Sequence, residues 1–151
     1  GILMKIAIGA DHNGYDLKEA VKAHVEHLGH VVEDFGCHQC AETDYPDVAA
    51  EVGKSIQQGE NERGILICGT GIGVAITANK IKGIRAALAH DYYSAERAQL
   101  SNNAQILTMG AQIIGVEVAK KNVEAYLNVS WEGGSQRKVD KIDKVEESEN
   151  K

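Results

Sequence analysis

Gly64-Ile65-Leu66-Ile67-Cys68 runs without interruption into Gly69-Thr70-Gly71-Ile72-Gly73. Five consecutive apolar positions have the length and content of a strand buried on both faces, which is the habit of parallel sheets covered by helices. The three glycines that follow permit a tight turn into a helix, and the small-residue stretch up to Lys80 supplies that helix. Upstream, residues 4–9 (MKIAIG) read as another buried strand ending at a glycine. Residues 15–28 carry Leu17, Val21, Val25 and Leu28 near helical spacing, with Gly29 as a stop. A second strand is predicted over 30–35 and a polar loop over 36–43. Asp44 and Pro46 then open a helix running towards Gln58. Downstream, the alternation predicts strands at 84–89 and 105–109 and helices at 91–100 and 116–127. Val139, Ile142 and Val145 mark a last amphipathic helix over 136–147. Strands separated by helices pair in parallel through right-handed crossovers. The expected fold is therefore α/β, a three-layer Rossmann-like sandwich around a five-stranded parallel sheet, with a C-terminal helix.

Composition narrows the function. The chain has 151 residues, 43% of them hydrophobic and 25% charged, so one domain over residues 4–147 is expected. Residues 1–3, ahead of Met4, read as a remnant outside that domain, and 148–151 as a frayed tail. Aromatics make up 5%, so the core must be built from aliphatic side chains. A net charge of -6 argues against non-specific nucleic-acid binding, which needs a basic surface. No apolar run approaches the ~20 residues of a membrane span, and no secretory leader precedes the first strand. Three cysteines, an odd number, suit a reducing compartment, and a cytoplasmic location is expected.

In an open α/β sheet the chemistry lies beyond the carboxyl ends of the strands. The first strand ends in Asp11-His12-Asn13-Gly14, where a carboxylate and an imidazole precede a helix; Asp11 or Asn13 acting only as a helix cap is the plainer reading. Cys68 ends the third strand at a glycine turn whose N–H groups can hold an oxyanion, and the positive end of a helix favours a thiolate that serves as base or nucleophile. Taken alone, a cysteine there is more often a small core side chain. Gly69, Gly71 and Gly73 are spaced G-x-G-x-G and not G-x-G-x-x-G, although Asp91 stands roughly where a ribose-binding acid would. The Gly-Lys-Ser/Thr of an NTP-binding loop is absent. His90-Asp91 ends the fourth strand, and the polar run from Ser101 to Gln105 precedes the fifth. Cys37-His38-Gln39-Cys40 lacks the second ligand pair of a structural zinc site, so no metal is expected. The mixed charges of the last helix suit a solvated face or a subunit contact.

IAIGADHNGYDLK, DYPD at 44–47, GILICGTGIGVAITANKIKGIRAAL and NNAQILTMG together resemble the ribose-5-phosphate isomerase B family, which includes the galactose-6-phosphate isomerase subunits. The resemblance spans residues 4–127 and continues more weakly through the last helix. It implies a cofactor-free aldose–ketose isomerase of small sugar phosphates, dimeric or tetrameric, with active sites shared between subunits. By resemblance Cys68 is the base that carries a proton between C1 and C2, Thr70 positions substrate, and the amides of Gly69, Gly71 and Gly73 stabilise the enediolate. Asp11, His12, Tyr45 and Asn102 would line the sugar and phosphate. Three departures stand out. Ser101-Asn102 replaces a His-Asn pair whose histidine assists ring opening, leaving His90 or Ser101 as candidates for that step. Gln112 stands where an arginine is expected. Arg137 and Lys138, after Gly134-Ser135-Gln136, replace or displace two phosphate-gripping arginines, and lysine lacks the bidentate fork of arginine. Ribose 5-phosphate is the expected substrate. A hexose 6-phosphate, or a reduced subunit that needs a partner chain, is the alternative.

Overall fold

A computed structural model describes residues 2–39 and 42–149. Cys40, the second cysteine of the Cys37–Cys40 motif, lies outside the described residues, as do Gly1 and the end of the tail, Asn150 and Lys151. The strands are β1 (Lys5–Ala10), β2 (Val31–Asp34), β3 (Arg63–Cys68), β4 (Ala86–Leu88) and β5 (Ile106–Gly110). The helices are α1 (Tyr15–His27), α2 (Tyr45–Gln57), α3 (Ile72–Ala78), α4 (Tyr92–Leu100), α5 (Val116–Leu127) and α6 (Gln136–Ser148), and a 3-10 turn at His12–Gly14 precedes α1. The sheet is wholly parallel in the order β2-β1-β3-β5-β4. The predicted three-layer α/β sandwich with a C-terminal helix is thus the fold observed.

Side-chain alternation along the strands divides the core. Ile6, Ile8, Ile65, Ile67, Leu107 and Met109 face α1, α4 and α5, where Val21, Ala95 and Val123 meet them. Ala7, Leu66, Cys68 and Ile106 face α2 and α3, against Ala49, Val52, Val74 and Ala78. Cys68 therefore emerges on the layer that also carries the start of α2. Small residues let two layers of helices approach the sheet closely, as the aromatic-poor composition requires. Tyr126, the largest fully buried side chain, donates its hydroxyl to the Ala104 carbonyl at 2.6 Å, so its burial leaves no polar atom unpaired.

Two elements differ from their sequence reading. The fourth strand shrinks from a predicted six residues to Ala86–Leu88 because it is the sheet edge. The Asn79 amide hydrogen-bonds both the N–H and the carbonyl of Ala86 (2.8 and 2.9 Å), and Arg85 N–H goes to the Gln105 side chain. Asp44 occupies the N-cap of α2 but makes no side-chain capping bond, while Pro46 sits in the first turn as expected. The helix at 116–127 is as predicted. No helix of the described residues is long and apolar enough to cross a membrane.

Lys18 stands between the apolar positions Leu17 and Val21 of α1, yet it is fully buried. Its ammonium donates to both carboxylate oxygens of Asp34 (2.9 and 2.8 Å) and to the Cys37 carbonyl (2.9 Å), and Lys22 adds a 3.2 Å bond to Asp34. A buried ammonium needs such partners, since its desolvation is costly. Burial pushes the Asp34 carboxyl up, but hydrogen bonds from Lys18, Gly36 N–H and Lys22 outweigh it and hold the group below its ordinary value. The network fastens the segment after β2 to the end of β1, where Cys37 N–H donates to the Ala10 carbonyl at 2.6 Å.

Candidate active site

An open cleft of about 460 Å³ lies at the carboxyl edge of β1 and β3. Asp11, Tyr45, Cys68, Gly69, Thr70 and Gly73 line it, joined by Asn13, Ile72, Ile76 and Gln112. His12 lines the adjoining hollow with Asp11, Tyr45 and Asp47. The sheet order explains this gathering: β1 and β3 are neighbours, and the chain leaves them in opposite directions, which opens a crevice between the loops at their ends.

Cys68 is 4% exposed and forms the floor. Gly71 N–H donates to its Sγ at 3.1 Å. One amide expected to serve an oxyanion is thus turned onto the sulfur, and Ile72 N–H is turned onto Thr70 Oγ1 at 3.3 Å. Gly71 has φ +80°, and a Cβ there would lie 2.7 Å from the Met109 carbonyl carbon, so no other residue fits. Gly73 is required by contact, because a Cβ would run into the Tyr45 ring. Thr108 Oγ1 donates to the Gly71 carbonyl at 2.9 Å and pins the loop from below.

Asp11 is both a cap and a cleft residue. Its Oδ1 accepts from Gly14 N–H at 3.0 Å, and the residue is 5% exposed at the cleft wall. The two readings of Asp11 are not exclusive, since one oxygen suffices for the cap. His12 Nδ1 accepts from Thr43 N–H at 3.3 Å. His90 Nε2 accepts from Gly110 N–H at 2.8 Å, which ties the end of β4 to the β5 turn; His90 is not among the cleft-lining residues. The Gln112 side chain lies over Gly69, its Oε1 3.1 Å from where a Cβ would stand.

Ser101, Asn102, Arg137 and Lys138 lie elsewhere. Ser101 caps the C-terminus of α4 just before β5 begins, and its Oγ accepts from Arg97 Nε at 2.7 Å. Arg137 and Lys138, both exposed, open α6 next to it, where Trp131 N–H donates to Gln99 Oε1 at 2.7 Å. This is the amino edge of the sheet, separated from Cys68 by the length of β3, about 16 Å for six residues. The two sets of residues thus stand at opposite edges of the sheet in one chain. The sequence reading placed both sets in one site and passed over Asn13, Ile72 and Ile76. Asn13 stood in the quoted Asp11–Gly14 segment, and the Ile72/Ile76 pair, exposed at one-turn spacing, was the remaining signal. Among the described residues no group of three or more His, Cys, Asp or Glu is placed to hold a metal.

A doubly covered parallel sheet with a cysteine and a glycine turn at its crevice defines an α/β protein built for chemistry on a small polar metabolite. The profile of the family described as Ribose/Galactose Isomerase matches residues 6–145, and the chain belongs to that family. It is 47% identical to the D-erythrulose-4-phosphate isomerase of Pectobacterium atrosepticum, over 97% of this chain and 98% of that one. It is likewise 47% identical to the ribose-5-P isomerase B of Listeria innocua, over 95% of this chain and 98% of the other. The solved structure of Clostridium thermocellum ribose-5-phosphate isomerase B superposes with a TM-score of 0.95 at 40% identity, covering 97% of this chain and all of that one. The protein is a sugar-phosphate isomerase.

Proposed function

We propose that this chain interconverts ribose 5-phosphate and ribulose 5-phosphate through a cis-enediolate, with Cys68 as the base. The carrying observation is the position of Cys68 Sγ on the cleft floor, with Gly71 N–H aimed at it. The thiolate removes the C2 proton of the open-chain aldose. The C–H electron pair becomes the C1=C2 double bond, and the carbonyl oxygen O1 takes the charge. A proton passes from O2 to O1, and the thiol returns its proton to C1, which leaves the carbonyl at C2. Thr70 and the remaining amides of the Gly69–Gly73 turn face the developing charge, while Asp11 and Tyr45 orient hydroxyls. No cofactor enters these steps. D-erythrulose 4-phosphate would pass through the same steps, as would a hexose 6-phosphate in a longer cleft.

The separation of the two sets of residues supports a homodimer or homotetramer with shared active sites. A second copy that brings its amino edge to this carboxyl edge would add Asn102, Arg137 and Lys138 as the phosphate's partners. Substitution tests the base: Cys68→Ala is expected to lower turnover of ribose 5-phosphate by about a thousandfold while the fold, read by circular dichroism, is kept. Wild-type turnover by that variant would remove Cys68 from the mechanism.

A further inference from the structure

Three glycines in five residues leave the turn after β3 without a shape of its own, because glycine tolerates many backbone conformations about equally. The end of β5 imposes one. That strand runs beside β3, with Leu66 paired to Thr108 and Cys68 to Gly110. Ala111 N–H donates to the Cys68 carbonyl and Gln112 N–H to the Gly69 carbonyl, both at 2.9 Å. A Cβ on Gly110 would stand 2.5 Å from the Thr70 carbonyl carbon, so the turn lies directly on β5. These backbone ties fix the start of the turn.

A side chain fixes its end. Thr108 is fully buried, so its hydroxyl reaches neither solvent nor cleft, and Oγ1 donates to the Gly71 carbonyl at 2.9 Å. Gly71 is the N-cap of α3 and has no side chain with which to cap. Its carbonyl and the Ile72 N–H belong to one planar trans peptide and point in opposite directions. With the carbonyl drawn down to Thr108, the Ile72 N–H is sent up to Thr70 Oγ1 at 3.3 Å, where Thr70 lines the cleft. Gly71's own N–H meets Cys68 Sγ at 3.1 Å. A rotation of Gly71 about its permissive backbone would take both amides off these partners.

We infer that Thr108 is a positioning residue for the isomerisation: it touches no substrate, and it holds the Gly69–Gly73 turn in the arrangement that presents Cys68 and Thr70 to the sugar. The inference rests on the reading of Cys68 as the base. Misplacing a reacting group by about 1 Å can cost a hundredfold in rate, so a loosened turn lowers turnover more than binding.

Two substitutions separate hydrogen bonding from packing. Thr108→Val keeps the branched shape and loses the donor; Thr108→Ser keeps the donor and loses a methyl. Turnover is measured on D-ribose 5-phosphate and D-erythrulose 4-phosphate, using whichever the wild type converts, and hydrogen exchange of the Gly71 amide is followed by NMR. In Thr108→Val, kcat should fall about tenfold to a hundredfold while KM stays within about twofold. In Thr108→Ser, kcat should stay within about threefold of wild type despite the lost methyl. The Gly71 amide should exchange about tenfold faster in the valine variant, with the amides of α5 unchanged. Wild-type kcat in Thr108→Val, a serine variant as slow as the valine one, or an unaltered Gly71 exchange rate would each overturn the inference. A wild type that converts neither sugar would remove the proposed substrate, and the Gly71 exchange rate would then decide on Thr108 by itself.

Discussion

Cys68 shows how one residue can belong to the core and line a cleft at once. Period-two alternation from Leu66 sends it towards α2 and α3, and the end of the strand leaves its sulfur at the cleft. The glycines around it serve separate needs, Gly71 by conformation and Gly73 by contact with Tyr45. Gly73→Ala must displace that ring; a loss of about 1–3 kcal/mol in denaturant unfolding is expected, with a raised KM because Tyr45 lines the cleft. That Cys68, Thr70 and the glycine turn gather at the cleft was legible in the sequence because they follow directly on an unmistakable buried strand, whose carboxyl end is where such sheets open a crevice. Asn13, Ile72 and Ile76 were not, since an asparagine in a turn and isoleucines on a helix suit many environments. The acceptor state of His12 and His90 was also invisible, because the Thr43 and Gly110 amides that fix it are distant along the chain.

Among the elements, the segment after β2 depends on a charge network that helical periodicity concealed. Lys18 follows Leu17 in α1 and points inward only because Asp34, at the end of β2, waits for it. Asp34→Asn would leave a fully buried ammonium short of its counter-charge, and a destabilisation of about 3 kcal/mol is expected in urea unfolding. The same pair sets an acid limit. The folded Asp34 carboxyl is held below its ordinary value of 3.8, so the unfolded chain binds the proton more readily. The pair's contribution is full above that value and is lost as pH falls through the lower, folded one. Midpoints from urea titrations between pH 6 and pH 3 should drop less in Asp34→Asn than in the wild type. The order of helices and strands was readable throughout, since buried parallel strands and amphipathic helices differ in period. The fourth strand was overextended because hydropathy marks apolar residues and not which of them find a ladder partner.

The whole molecule separates what the sequence lists side by side. Nothing in a one-dimensional reading says that Ser101 and Cys68 stand at opposite edges of one sheet; that follows only from strand direction. If two chains complete each site, mutating each half in a different chain is complementable. A Cys68→Ala chain and an Arg137→Ala chain, each nearly inactive alone, should regain about a quarter of wild-type activity after dissociation and reassociation at equal amounts. Half the random dimers are then hybrids, and each hybrid holds one intact site. No recovery on mixing would place the whole site within one chain.

The Asn79 amide that engages Ala86 has a consequence for how the molecule behaves in a crowded solution. A sheet margin with free N–H and C=O groups is a template on which foreign strands add, the first step towards fibrils. Here a side chain mimics the missing neighbour and occupies the first rung, so growth of the sheet past β4 is blocked at its start. Copies of this chain can then meet through helices and loops without the sheet itself becoming continuous across that margin.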